Sequence, residues 1–194
     1  MRAALTPLTR FVATPTNSKH RLFVWLSHPT LPDHQVIVFA REDDYFFGVL
    51  QSRVHESWSY GTGTQLREEE SGFRYTPNEC FKTFPFPWPP RSEPGEEDDS
   101  RVAGVAAAAR ELNELRSGWL NTEGLSRADL KRRTLTNLYN DPPDWLTLAH
   151  ADLDRAVFAC YGWSEEPEDL TDQGLLGRLL ALNAQRLRPP SAKG

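Results

Sequence analysis

One polar segment of the sequence carries side chains that can read the edges of DNA bases. Residues 61–72, GTGTQLREEESG, are flanked by glycines and contain Thr64, Gln65, Arg67 and Glu68. Glutamine matches adenine and arginine matches guanine through paired hydrogen bonds, glutamate accepts from the amino group of cytosine, and threonine can contact several base edges. These four residues are therefore candidates for base-specific contacts. A solvated surface loop is the alternative interpretation of the same segment.

A second group of polar residues has donors suited to DNA phosphates. Ser18, Lys19 and Arg21 lie together in a turn-rich stretch, and Arg74 follows the glycine-flanked segment. Hydroxyl, ammonium and guanidinium groups commonly bind phosphate oxygens, and such contacts position a protein on DNA without reading its sequence. We expect these four residues to contact phosphates, although a solvated turn would have a similar composition.

The motifs that carry catalysis are absent from the sequence. It has no glycine-rich nucleotide-binding motif, no HExxH, no GxSxG and no paired CxxC. The segment Asp141-Pro-Pro-Asp144 has the two prolines of the (N/D)PP(Y/F) motif of adenine methyltransferases, but lacks the aromatic residue that could stack on a flipped base. A nucleophile pair of Cys80 and His55 has no local support. The chain by itself is therefore expected to be no enzyme and to bind no metal.

The net charge is divided unevenly along the chain. The formal charge of −5 separates into +1 for residues 1–92 and −6 for residues 93–194. The first half can still present a basic surface to DNA, but with weak affinity by itself, because phosphate neutralisation dominates non-specific binding. Two cysteines imply no disulfide framework, and no apolar run is long enough for a membrane span or a signal peptide. We expect a cytoplasmic protein with no membrane partner.

The elements that must position these candidates begin with strands. Three segments rich in β-branched and aromatic residues, separated by turn-forming residues, predict strands: 10–14, 21–26 and 35–40. Asp43 and Asp44 then open a stretch in which apolar residues recur at helical spacing as far as Trp58, which predicts one amphipathic helix. Residues 60–72 predict a loop or a loose hairpin.

A proline-rich segment and an acidic linker follow. Residues 81–90, FKTFPFPWPP, cannot form a helix or a central strand because proline removes backbone donors, so an extended segment pinned in the core by its aromatic side chains is predicted. Residues 91–100 predict a polar linker. We therefore predict a strand-rich domain over residues 1–92 and a helical domain over residues 100–190, which together make an α+β fold.

The second half of the chain predicts helices. Apolar residues recur every three or four positions from Val102 to Trp119. Ser126 with Asp129 resembles a capping box and opens a short helix that is predicted to run through Leu138.

Two more helices complete this half. Asp141 is predicted to cap the first of them, with Pro142 at its first helical position and Gly162 at its end. A leucine-rich stretch from Leu175 to Leu187 predicts the last. We expect the three tryptophans of this half to need partners from residues 84–88, so that it folds poorly alone; they are Trp119, Trp145 and Trp163.

Two long segments together resemble the MmeI-like enzymes, single-chain type II restriction-modification proteins. The matching pieces of the first half are residues 50–55, Trp58, 63–64, 74–77 and 83–87. Those of the second half are residues 135–139, 145–146, 149–150, 153–154, 156–157, 161–163 and 179–183. Their order and spacing agree over roughly residues 8–188. The resemblance implies the C-terminal part of a DNA target-recognition domain, followed by the family's C-terminal helical segment.

The resemblance also implies a division of labour. A methyltransferase domain flips a base and transfers the methyl group of S-adenosylmethionine, while a separate module recognises the DNA site. This chain is expected to lack the nuclease and methyltransferase domains, to bind no cofactor itself, and to have double-stranded DNA as its partner. A separately encoded methyltransferase or nuclease chain is a further expected partner. The alternatives are a helical docking partner of such a methyltransferase and a non-functional gene remnant.

Overall fold

The structure is a computed structural model that describes residues 2–65 and 72–187. Its strands are β1 (Arg10–Pro15), β2 (Asn17–Ser18), β3 (Val24–Ser27), β4 (Val36–Phe39), β5 (Thr64–Gln65) and β6 (Phe73–Arg74). Its helices are α1 (Arg2–Leu5), α2 (Asp44–Gln51), α3 (Arg53–Thr62), α4 (Ser100–Leu120), α5 (Arg127–Arg132), α6 (Leu135–Asn140), α7 (Asp144–Tyr161) and α8 (Asp172–Leu187). A π-helical turn spans Pro77–Phe81 and a short 3-10 helix spans Pro167–Asp169. Small antiparallel sheets combined with many helices confirm the predicted α+β class.

The three strands predicted near the N-terminus form one antiparallel sheet in the order β3-β1-β4. Val12 of the buried central strand pairs with Trp25 on one side and with Phe39 on the other. The second predicted strand starts at Val24 instead of Arg21. The side chain of Arg21 is engaged in other contacts, which belong to the site described below.

The single helix predicted from Asp43 to Trp58 is wrong in one respect, because α2 and α3 are separate helices that meet at Ser52. Asp43 caps α2 by accepting from a backbone N–H of the first turn. Ser52 is extended, with φ −71° and ψ 156°. The carboxylate of Asp154, on α7, accepts from the Arg53 N–H at 2.8 Å and so caps α3 from a distant part of the chain.

Helix α4 confirms the predicted apolar stripe as far as Leu112, whereas Leu115, which was predicted to continue it, is exposed. Val102, Val105, Ala109 and Leu112 are buried along one face of it. The Asp99 side chain caps its first turn, which stabilises a helix by about 1 kcal/mol.

The single helix predicted from Ser126 through Leu138 is wrong, because two short helices take its place. Ser126 caps α5 as expected, accepting from the Asp129 N–H at 3.1 Å. The helix ends at Arg132, however, and α6 is a separate helix with its own cap at Thr134.

The predicted start of α7 is wrong. Asp141 does not cap this helix, which begins at Asp144 after Pro143 in the cap position. Pro142 precedes another proline, and the residue before a proline is driven towards an extended conformation. The helix therefore cannot begin at Pro142. Its end at Gly162, in the left-handed conformation with φ +71°, is confirmed.

One buried cluster contains residues of both predicted domains. Helix α4 packs against α2 and α7, and α8 packs against α3. Gly48 permits the close approach of α2 to α4, since a Cβ there would lie 2.8 Å from Val105 Cγ1. Phe84 and Phe86 of the proline-rich segment are buried in the same cluster, as predicted. The domain boundaries, 1–92 and 100–190, stay predictions.

Two tryptophans of the helical half have local partners, and the prediction that these tryptophans need the proline-rich segment stays a prediction. Trp163 stacks on Tyr161 with ring centroids 4.5 Å apart, and Trp119 lies under the Arg133 guanidinium at 4.7 Å. The link to the proline-rich segment runs through Tyr161, whose hydroxyl donates to the Pro85 carbonyl at 2.9 Å.

Candidate nucleic-acid interface

A second small sheet brings together candidate residues from three separate parts of the sequence. Its strand order is β2-β6-β5, and Arg74 of β6 lies between Asn17 of β2 and Thr64 of β5. In the next register position Phe73 lies between Ser18 and Gln65. The polar turn near the N-terminus and both ends of the glycine-flanked segment therefore occupy one surface.

Two glycines make this pairing possible. Gly72 has φ +74°, a conformation that favours glycine, and a Cβ there would lie 2.4 Å from the Ser18 carbonyl oxygen. Gly63 lies against the Phe73 ring, and its Cβ would come within 2.0 Å of Phe73 Cζ. Phe73 is itself buried and meets Tyr60 edge to face, with ring centroids 5.0 Å apart. The two ends of the segment are thus fixed, while Arg67 and Glu68 lie outside the described residues.

Lys19 is exposed in the turn that follows β2, and Ser18, the last residue of this strand, is half-buried. The ammonium of the exposed Lys19 donates to Asn140 Oδ1 at 2.7 Å, and so uses one of its three donors. The Ser18 hydroxyl donates to the carbonyl of His20. Lys19 therefore keeps donors free for a phosphate, whereas Ser18 must first release its hydroxyl.

Arg21 occupies a different place from the one predicted for a phosphate contact. It is only 2% exposed, and its guanidinium donates to the Pro15 carbonyl at 2.6 Å, to Thr14 Oγ1 at 3.0 Å and to the Phe73 carbonyl at 2.9 Å. Burial lowers the pKa of Arg21, but an arginine remains charged at physiological pH. The geometry argues against a phosphate contact by this side chain, which instead ties β1 to β6.

A polar cleft of about 800 Å³ opens beside the small sheet. Asn17 and the exposed Arg74 line it, together with His34 and Gln35 from the connection between β3 and β4. The sequence predicted His34 in a turn and Gln35 at the start of a strand, and gave no sign of their place beside Arg74. Nothing in their immediate sequence distinguishes them from other turn residues.

The alternative nucleophile pair is buried in the core. His55 Nδ1 donates to the Leu50 carbonyl at 3.0 Å, so its Nε2 accepts from the Tyr75 hydroxyl at 3.0 Å. Burial lowers the pKa of His55 to about 3, which keeps the ring neutral. Cys80 is fully buried with its thiol towards the Ser59 carbonyl. These residues pack the core and are closed to a substrate.

The described residues contain neither a metal-binding cluster nor a membrane span. No group of three or more histidine, cysteine or acidic side chains in residues 2–65 and 72–187 is arranged to hold a metal ion. None of the helices in these ranges is both long and apolar enough to cross a bilayer.

The chain is similar to two proteins that act on DNA. It is 25% identical over 155 residues to DNA methyltransferase A of Bacillus subtilis (strain 168), a match that covers 77% of this chain and 15% of that protein. Its structure superimposes on MmeI, a type IIL restriction-modification enzyme solved in complex with DNA, with a TM-score of 0.70 and 23% identity. That likeness covers 92% of this chain and 21% of MmeI. No protein-family model matches the chain.

The chain thus spans about a fifth or less of the length of the relatives it matches. Both comparisons agree with the resemblance inferred from residues 8–188. The resemblance to MmeI-like restriction-modification enzymes is therefore confirmed, and the chain has the fold of one part of such an enzyme.

Proposed function

We propose that this chain binds double-stranded DNA through the β2-β6-β5 sheet and serves target recognition in a restriction-modification methyltransferase. The observation that supports the proposal is the pairing of β2, β6 and β5, which joins Arg74 and both ends of the glycine-flanked segment in one small sheet, with Lys19 directly after β2 in the chain. MmeI was solved with DNA, which supports the same kind of partner here. The proposed compartment is the cytoplasm.

Within this surface we assign two roles. Lys19 and Arg74 hold phosphates, with Ser18 as an additional donor once its hydroxyl turns outward. Thr64 and Gln65 of β5, with Arg67 and Glu68 of the segment that follows it, read bases. Methyl transfer and S-adenosylmethionine binding are assigned to a methyltransferase part outside this sequence. The purified chain is expected to transfer no methyl group to DNA.

The phosphate assignment is tested by the salt dependence of DNA binding. Fluorescence anisotropy with a mixed-sequence duplex of about 30 base pairs, at several salt concentrations, gives the slope of log K against log salt. Lys19→Ala and Arg74→Ala should each reduce the magnitude of this slope by about one, because each removes one phosphate contact. Lys131→Ala, which removes an exposed lysine from α5, is the control. If the folded wild-type chain binds no duplex even at low salt, the proposal is wrong.

The base-reading assignment is tested in a complex of this chain with a methyltransferase chain. Arg67→Ala should relax specificity at one base pair, since a bidentate contact discriminates by about 1–3 kcal/mol. Gln65→Ala and Glu68→Ala should each relax another position. Unchanged site preference in all three variants would remove the base-reading role from this segment.

A second candidate function is docking of a methyltransferase chain through the helices. An apolar groove of about 600 Å³ is lined by Leu115, Trp119 and Trp145, and Leu115 is 38% exposed. Leu115→Glu would then abolish co-purification with a separately expressed methyltransferase chain. The same variant should leave DNA binding by the small sheet unchanged.

A further inference from the structure

The helical half of the chain reaches the polar turn at one point. Asn140 is the last residue of α6, and its Oδ1 accepts from Lys19 Nζ at 2.7 Å and lies 2.9 Å from His20 Nε2. The Tyr139 ring lies beside His20, with centroids 6.0 Å apart. Two consecutive residues of α6 thus contact two consecutive residues of the turn, about 120 positions earlier in the sequence.

This end of α6 is anchored in the core. Arg116, only 3% exposed, donates to the Tyr139 hydroxyl at 3.4 Å, to Gln51 Oε1 at 3.2 Å and to the Phe23 carbonyl at 3.1 Å. The Tyr139 hydroxyl is also hydrogen bonded to His150 Nε2 at 2.7 Å. The network joins α4, α6 and α7 to the residues that precede β3. The position of Asn140 is therefore set by the packing of the helices and not by the polar turn alone.

We propose that Asn140 is a positioning residue for DNA binding: its amide oxygen, to which the His20 ring also donates, holds the Lys19 ammonium so that the remaining donors of Lys19 face a phosphate. This inference rests on the proposed function. An amide suits the role because its oxygen accepts from both side chains without cancelling the charge of Lys19. A carboxylate at this place would pair with Lys19 and repel the phosphate.

The test compares two asparagines on the same helix. Asn140→Asp and Asn140→Ala are matched with Asn137→Asp and Asn137→Ala, because Asn137 is also exposed and lies one turn earlier, with its side chain donating to the Arg132 carbonyl. Binding is measured on the full chain by anisotropy with the same mixed-sequence duplex. Asn140→Asp should lower affinity about tenfold at low salt and reduce the salt slope by about one, as expected for the loss of one phosphate contact. Asn140→Ala should lower affinity about threefold, and the Asn137 variants should stay near wild type.

A second measurement without DNA separates the two proposals. Nuclear magnetic resonance of the His20 ring and the Lys19 side chain should show shifts in Asn140→Ala but not in Asn137→Ala. If neither side chain responds, the positioning role is overturned, whatever the chain binds. If they respond and wild type binds DNA, but Asn140→Asp binds as Asn137→Asp does, only the positioning role is overturned. Absence of DNA binding by folded wild type would overturn the proposed function, and this role in DNA binding with it.

Discussion

Arg21 is buried and donates three hydrogen bonds, so its substitution is expected to change the stability of the fold. Arg21→Ala should lower the free energy of unfolding by about 3 kcal/mol or more, because it leaves buried acceptors without a donor. Urea denaturation measures the change. Lys19→Ala, at an exposed position, should change stability by less than about 0.5 kcal/mol. Normal stability of Arg21→Ala combined with weaker DNA binding would restore the phosphate role.

Gly63 and Gly118 offer a matched pair of glycine substitutions. Gly63→Ala should destabilise the protein by about 1–3 kcal/mol, since its Cβ would overlap the Phe73 ring and force a shift of the small sheet. Gly118 lies within α4, and a Cβ added there would meet no other atom within 4 Å. Gly118→Ala should therefore stabilise the protein by about 0.5–1 kcal/mol. Thermal unfolding of both variants checks the opposite signs, and equal signs would contradict the packing around Gly63.

The types of the candidate residues were evident in the sequence, but their exposure was not. Lys19 and Arg21 are two positions apart in a polar turn, and only the structure shows that one faces solvent while the other ties two strands together. Asn140 had no local signal, because its partners lie about 120 residues away. Contacts of that kind follow from the tertiary arrangement of helices, which short-range patterns do not encode.

At the scale of elements, the break between α2 and α3 at Ser52 also could not be predicted from short-range sequence patterns. The apolar spacing on both sides of it is helical, so periodicity alone predicts one helix. The second helix is capped by Asp154, about a hundred residues later in the chain. The strands of the larger sheet were predictable because β-branched residues and turn residues signal them locally, as were the α4 stripe and the glycine end of α7.

The cap supplied by Asp154 should make stability depend on pH. Burial raises the pKa of Asp154 to about 7, whereas an unfolded aspartate titrates near ~3.9. The folded state therefore binds more protons between pH of about 4 and about 7, and this contribution to stability is lost as pH rises through that window. Asp154→Asn keeps an acceptor for the Arg53 N–H but has no titratable group at this place. The variant therefore does not lose this contribution to stability as pH rises. Relative to wild type, the variant should gain stability as pH rises from about 4 to about 7.

Denaturation midpoints over this pH range give the measurement. The two buried histidines, whose pKa values burial lowers to about 3 for His55 and about 4 for His150, act in both proteins and so cancel in the difference. Asp152→Asn removes an exposed carboxylate from the same helix and serves as the control. A difference between Asp154→Asn and wild type that does not change with pH would contradict the buried, protonatable cap.

At the scale of the whole molecule, one core serves both halves of the chain. Helix α4 loses its partner α2 when residues 1–99 are removed, and the buried faces of Val105 and Ala109 are then exposed to water. A fragment of residues 100–194 should therefore show no cooperative thermal transition by circular dichroism, although its local tryptophan contacts would persist in part. A stable, cooperative fragment would show that the helices form an independent domain.

The α+β class followed from the change in apolar period along the chain. The packing of α2 and α3 against α4, α7 and α8 did not, because a helical pattern shows which face is buried and not what covers it. The sequence also predicted a separation near residue 92, whereas the buried cluster crosses it. The composition of the linker therefore indicates where the sequence changes from strand-rich to helical. It does not show how much surface the two halves bury against each other.

The pairing of Gln65 with Phe73 fixes the distance between the two ends of the segment proposed to read bases. Paired strands hold their ends about 5 Å apart, and doubling the length of a flexible connection between fixed ends costs only about 0.6 kcal/mol. As long as Gly63, Gly72 and Phe73 keep the two strands paired, a change in the length of the connection between them should therefore cost little stability. If this segment reads bases as proposed, replacing the residues between Gln65 and Gly72 should change the preferred DNA site while the paired strands stay as they are.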